Sequence, residues 1–347
     1  MKSRQFIQWL SKQFAELFVE QFAKQFAKRP LLFIVIIYML IVVSLAGSLA
    51  AVFFLPNGQD EAVIVTLPRG ATVPQIARQL ADSDLIYAPI LFRFGVRLSG
   101  RARQLRAGEY HVPPHISLYG LMQLFTKGKS ILHAITIPEG LTSQQIMALL
   151  NESPYLDGAI TDMPQEGSLL PETYFVEQGF ERAALIARMQ AAMQAELESL
   201  WPMRQQDLPL NSMQEALILA SLVEKETGLA AERPKIAAVF LNRLRRQMRL
   251  QSDPTIIYGL VGGAGSLGRP LRMSELKRPT PYNTYIIYGL PPSPITNPGR
   301  TALQSVLQPA DSNALYFVAD GTGGHVFADS LEEHNQNVRR WRKISGN

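Results

Sequence analysis

A chain of 347 residues with 47% apolar content has ample material for a buried core, and its length points to more than one domain. It has no cysteine, which excludes a disulfide framework, a thiol nucleophile and zinc sites built on thiolates. The net charge of +5 is mild, and no basic stripe is interleaved with aromatics, so nucleic acid is not an expected partner.

Residues 1–30 open the chain with Phe6, Ile7, Leu10, Phe14, Leu17, Phe18, Phe22 and Phe26 at helical spacing, against Gln, Lys and Glu on the other face. This pattern predicts an amphipathic helix on the cytoplasmic membrane surface, with a partner-binding helix or a weakly ordered tail as the alternative. Leu31 to Leu55 carries no charge and is long enough to cross a bilayer. Lys2, Arg4, Lys12, Lys24, Lys28 and Arg29 precede it, and Asp60 and Glu61 follow. Positive-inside logic then places the N-terminus in the cytoplasm and the rest of the chain outside a single-pass inner-membrane anchor. Ser48-Leu49-Ala50 resembles a cleavage site, but the long leading segment and the apolar Val52–Leu55 argue against a cleaved signal.

A linker at 56–61 leads into a compact unit, 56–133. A strand is expected at 62–67, a Pro-Arg-Gly turn at 68–70, helices at 73–81 and 89–98, a strand at 108–112 and a helix at 118–125. The order strand, Pro-Arg-Gly-Ala-Thr, helix with Ile76 and Leu80, then Leu85-Ile86 resembles a LysM-like module, which would imply binding to glycans rich in N-acetylglucosamine. A plain small α+β domain without a ligand is the alternative. A strand at 134–137 begins the second domain, 134–347. Helices are expected at 182–200, from Ser212 to Gly228, and at 234–248, with a hairpin over 315–327 and a short terminal helix.

The Ser212–Gly228 helix carries the chemistry. Ser212 and Glu215 form an S-x-x-E capping box, Gly228 is a natural stop, and nearly every position between is apolar. A helix apolar on most faces is buried. Two carboxylates nevertheless occupy its last turn. Glu224 and Glu226 are two apart, so they point to roughly opposite sides and cannot share one cleft unless the helix breaks there. A carboxyl against an apolar wall has a raised pKa, which suits a general acid. The alternative is a pair of ordinary end-of-helix charges satisfied by Lys225, Arg233 or Lys235. The remaining third, from the end of the 234–248 helix to the hairpin, reads as irregular, and its stretches 251–258 and 279–299 are rich in Tyr, Asn, Thr and Pro, the residue types that meet sugar hydroxyls and pyranose faces. There is no G-x-S-x-G and no H-E-x-x-H spacing, so neither a serine hydrolase nor a metal site is expected, and no cofactor is implied.

Several motifs together resemble the YceG-like family of endolytic murein transglycosylases: Glu224-Lys225-Glu226-Thr227, Phe240-Leu241-Asn242-Arg243-Leu244, Gln251-Ser252-Asp253-Pro254-Thr255, Tyr282-Asn283-Thr284-Tyr285, Gly289-Leu290-Pro291-Pro292, Tyr316-Phe317-Val318-Ala319 and Gly324-His325-Val326-Phe327. The resemblance runs from about Ala62 to Arg342. It implies an α+β architecture: a single N-terminal transmembrane helix, a small LysM-like module and a mixed α+β catalytic domain. It further implies that Glu226 is the catalytic acid/base of a lytic cleavage of peptidoglycan glycan strands, with peptidoglycan synthases (penicillin-binding proteins) as partners at the membrane. The expected glycan groove is lined by Gln251, Ser252, Asp253, Tyr282, Asn283 and Tyr285, with Glu224 orienting the site or binding the 2-acetamido group. Two departures stand out. Glu172 takes a position where the family often has Asp, and the Phe-rich segment before the apolar stretch is outside the family core. The rivals are a muramidase hydrolase using Glu226 with Asp253 or Glu224, and a non-catalytic membrane-anchored glycan-binding scaffold.

Overall fold

The computed structural model describes residue 13, residues 29–56 and residues 59–345, so the amphipathic segment expected at 1–30 lies almost wholly outside the described residues. Contacts divide the chain into two units, the first ending at Ile131 and the second starting at Leu132.

In the first unit, α1 (Pro30–Phe54) starts with proline at its first turn, where no backbone donor is needed. Its residues Leu31–Phe54 have a mean hydropathy of 2.7 and none of that stretch is buried inside the protein, so among the described residues this is one helix long and apolar enough to cross a membrane. Strand β1 (Val63–Leu67) pairs antiparallel with β2 (Gly108–Val112), with Val65 opposite Tyr110. Between them run α2 (Val73–Asp82) and α3 (Pro89–Leu98), and α4 (Leu118–Lys127) follows β2. The Gln75 side chain accepts from the Thr72 N–H at 2.8 Å, closing the start of α2. Strand residues Val65, Leu67, Tyr110 and Val112 meet Ile76, Leu80, Phe92 and Phe125 from the helices in a single core. The period-two alternation of the strands turns every second side chain onto that core.

The second unit begins with β3 (His133–Thr136), which pairs antiparallel with β4 (Thr173–Val176). Helix α5 (Ser143–Glu152) and α6 (Arg182–Leu200) pack around this ribbon through Ile146, Leu150, Leu185 and Met189. A larger core is built on α7 (Met213–Glu226), α8 (Arg233–Arg245) and α10 (Arg300–Leu307), with α9 (Asp253–Val261) lying beside them. A hairpin of β5 (Tyr316–Ala319) and β6 (His325–Ala328) and a last helix, α11 (Leu331–Ser345), complete it.

Three local expectations change. The region after 251 is not wholly irregular: α9 starts on Asp253-Pro254, with proline where a helix tolerates it, and stops at Gly262 in the left-handed region. Helix α10 exists because Ala302, Leu303, Val306 and Leu307 give it one fully buried face. At the start of α7, Ser212 does accept from the Glu215 N–H, at 3.2 Å, but the Glu215 carboxylate reaches past Ser212 to the Asn211 N–H at 2.6 Å. At its other end Thr227, in an extended conformation, breaks the helix one residue before the glycine.

Candidate active site

Every residue of α7 from Ala216 to Glu224 is buried, so its last turn carries two carboxylates out of an apolar core. They part company there. Glu224 turns toward α8, where Arg233 Nη2 donates to its Oε1 at 2.6 Å. Its Oε2 accepts from the Gly299 N–H at 2.9 Å, at the start of α10. Arg233 also pairs with Glu139 at 3.0 Å and donates to the Thr301 hydroxyl. Both oxygens of Glu224 are thus engaged in fastening α7 to α8 and α10.

Glu226 is the last helical residue and is partly exposed. The Ser252 hydroxyl donates to its Oε1. Ser252 is itself fixed: its N–H donates to the Thr284 hydroxyl at 2.9 Å, and its carbonyl accepts from the Thr255 hydroxyl at 2.6 Å. The residue before it, Gln251, has φ +53°, a left-handed conformation uncommon for a side-chain-bearing residue, and its N–H donates to the Thr284 carbonyl at 3.1 Å. The strained turn holds the serine against the carboxylate. Burial pushes the Glu226 carboxyl up to about 7 and the nearby Asp253 charge adds to this, while the Ser252 hydrogen bond, His325 and Arg243 pull in the other direction. With Oε1 occupied as an acceptor, the proton of the neutral acid belongs on Oε2.

Asp253 begins α9, is exposed, and accepts from the Tyr285 hydroxyl at 2.7 Å. Glu226, Gln251, Ser252, Asp253 and Tyr285 therefore come together. Asn283 does not face this group. It is fully buried, its Nδ2 donating to the Arg278 carbonyl at 2.8 Å and its Oδ1 accepting from the Tyr285 N–H at 3.0 Å, which shapes the loop that delivers Tyr285. The Tyr282 hydroxyl shares a hydrogen bond with Ser293 at 2.7 Å, and its ring stands edge-on to Tyr258, centroids 5.0 Å apart. A cleft of about 350 Å³ opens beside Lys225, walled by Leu141, Gln145, Pro254, Ile257 and Tyr258.

Two further neighbours of Glu226 stand in the sequence only as letters within motifs. Arg243 is buried, with Nε donating to the Leu315 carbonyl at 2.6 Å, Nη1 to the Leu250 carbonyl at 2.8 Å, and its guanidinium 5.1 Å from the centre of the Tyr316 ring. Its one signal is an arginine inside the apolar run Ile236–Leu244. His325 holds Glu232 through Nδ1 at 2.8 Å and stands edge-on to Phe317. No spacing rule announces it, because it arrives from the far hairpin.

Removing the serine hydroxyl has a defined expected result. Ser252→Ala takes away the main influence holding the Glu226 pKa down, so the alkaline limb of the activity profile moves to higher pH. Turnover falls by about 10-fold as the carboxyl loses its orientation. A pH–rate series on both proteins checks this, and an unmoved alkaline limb would contradict it.

The YceG-like family model matches residues 65–340. The chain belongs to the YceG-like family. The YceG-like match starts in β1 and ends in α11, so it takes in both units. A protein of Streptococcus pneumoniae named endolytic murein transglycosylase is 30% identical over 325 residues, covering 80% of this chain and 58% of that protein. One from Bacillus subtilis with the same name is 30% identical over 308 residues, covering 79% of this chain and 83% of that protein. The chain thus spans somewhat more than half the length of the pneumococcal relative. The crystal structure of a YceG-like protein from Listeria monocytogenes, 30% identical, superposes with a TM-score of 0.48 over 80% of this chain and 99% of that one.

Proposed function

We propose that this YceG-like protein is an endolytic peptidoglycan lytic transglycosylase. It cleaves the β-1,4 bond between N-acetylmuramic acid and N-acetylglucosamine in nascent strands and leaves 1,6-anhydro-muramic acid ends. The observation that carries this is the division of roles at the end of α7: Glu226, partly exposed and bonded to Ser252, has a carboxyl pushed up to about 7 by burial, while Glu224 is tied up in the core. The names of the relatives in Streptococcus and Bacillus support the same reading.

Glu226 first gives its proton to the glycosidic oxygen as the bond from C1 of muramic acid breaks. The O6 hydroxyl of the same sugar then attacks C1, and its proton passes to the Glu226 carboxylate, restoring the acid. No water is consumed. The nucleophile is part of the substrate, so proximity replaces a second carboxylate. Between the two steps, Ser252 holds the carboxylate with a charge-assisted hydrogen bond, and Arg243 and His325 favour its charged form. Glu224 acts from behind, fixing the turn that presents Glu226. Gln251, Asp253, Tyr282 and Tyr285 line the groove, and Asn283 shapes the loop that carries Tyr285.

Hydrolysis is the second reading, and it has one specific support: Asp253 lies close enough for its charge to raise Glu226. An inverting or retaining hydrolase would need that carboxylate free to activate water or attack C1. The Tyr285 hydroxyl occupies one oxygen of Asp253, Oδ1, and the product ends separate the two readings.

In the same reading α1 anchors the chain in the cytoplasmic membrane with the enzyme outside. Its 24 uncharged residues make roughly 36 Å of helix, enough for a hydrocarbon core of about 30 Å. The β1–α2–α3–β2 order supports a LysM-like glycan-holding role for the first unit. Work on nascent strands would place the chain beside the peptidoglycan synthases. Cleavage inside strands is tested by the length distribution of un-crosslinked glycans early in digestion. Long fragments with few disaccharides are expected, and disaccharides from the first time point would contradict it.

A further inference from the structure

Helix α3 turns a large apolar stripe to solvent. Ile90, Phe94 and Leu98, each four residues after the last, are 73%, 62% and 77% exposed, and Tyr87 just before the helix is 72% exposed. Three large apolar side chains on one side of a ten-residue helix, with Tyr87 just before it, form a patch rather than scatter. Arg93 and Arg97 lie on the adjoining row, one turn apart, both exposed and without an ion-pair partner among the described residues. From Leu85 to Gly108 the chain also carries Arg101, Arg103 and Arg106, and no acidic residue.

This patch is continuous with α1. Phe94 and Leu98 share an apolar cavity of about 370 Å³ with Leu49, Phe53 and Phe54 from the last turns of that helix. Phe53 packs onto Gly95, where any Cβ would overlap its ring, and stands edge-on to Tyr119 with centroids 6.2 Å apart. The apolar surface of α1 therefore does not stop where the helix ends but passes onto α3.

We infer that the α3 face of the first unit docks on the membrane that α1 enters. Ile90, Phe94 and Leu98 sit at the acyl-chain boundary, and Arg93 and Arg97 meet the phosphates of anionic lipid headgroups. The inference rests on the proposed anchoring role of α1. A membrane is the occupant because the stripe continues a bilayer-length helix and because the charges that α3 itself carries, Arg93 and Arg97, are both basic. An amphipathic helix with these features lies in the interface, its apolar face about 5–10 Å deep. Arginine stems cover apolar surface while their heads stay at the phosphates.

The natural absence of cysteine allows a direct test on the full-length chain. Single variants Val42→Cys, Phe94→Cys and His111→Cys are labelled with bimane and placed in nanodiscs of equal parts phosphatidylglycerol and phosphatidylethanolamine, with or without acyl-chain bromination. Val42 reports on α1, and His111 is exposed on the sheet face turned away from the core. Docking predicts that brominated lipid removes about half or more of the emission at 42 and 94 and leaves 111 unchanged. Adding Arg93→Glu and Arg97→Glu is expected to restore most of the emission at 94 but none at 42. Quenching at 42 without quenching at 94 would overturn docking and leave the anchor standing. Protection of 94 from both lipid bromine and aqueous iodide would assign the patch to a second protein copy instead. Quenching at 111 as well would overturn the proposed orientation, and no quenching at 42 would remove both the anchor and the docking.

Discussion

Glu226→Gln is expected to lower turnover of glycan strands by about 10²–10⁴-fold while leaving the fold intact, because the amide keeps the Ser252 hydrogen bond and loses the transferable proton. The same substitution is expected to stabilise the protein at neutral and alkaline pH. The sign follows from the raised pKa. The folded carboxyl keeps its proton up to about pH 7, whereas the unfolded one releases it near 4.5. Between those values the folded state binds more protons, so wild-type stability declines as pH rises through the window and the loss is complete above it. The glutamine variant does not titrate. Its advantage should grow from about pH 4.5 to about pH 7 and then stay level, as read from denaturant midpoints across pH. An inactive variant that is also less stable at pH 8 would mean that the charge at 226 holds the fold together rather than doing chemistry.

The second large effect lies behind the site. Arg233→Met leaves Glu224 buried without its cation, with side chains only 7% and 3% exposed in the native pair. Loss of one partner of such a pair costs about 3–5 kcal/mol. Glu224→Gln introduced into the Arg233→Met chain should recover much of this, since an amide needs no counter-charge and can still accept from the Gly299 N–H. Denaturant titration of the two single variants and the double gives the coupling. A loss below about 1 kcal/mol for Arg233→Met would place the pair among solvent-screened contacts and remove the anchoring role of Glu224.

Both effects trace back to features legible in the amino-acid sequence. The apolar run from Ala216 to Val223 reads as a buried helix, and the two-residue spacing of Glu224 and Glu226 predicts their divergence, because helical geometry alone decides both. The strands and helices of the first unit follow from period and punctuation in the same way. Interactions that depend on where distant loops return stay hidden. Arg243 and His325 influence Glu226 across separations no periodicity encodes, and Asn283, expected in the groove, proves to be the buried keystone of its loop. Helix α10 is hidden in a polar, proline-rich stretch, because its signal is a single apolar face that gains meaning only when α7 and α8 are there to cover it.

The most direct test is the mass of the ends produced from un-crosslinked glycan strands by the full-length protein and by its Glu226→Gln variant. Muramic ends lighter by one water than reducing ends are expected from the wild type and are expected to be absent with the variant. Reducing ends would contradict this and make Asp253 the second carboxylate of a hydrolase. Cleavage undiminished in the variant would take the chemistry away from Glu226 altogether.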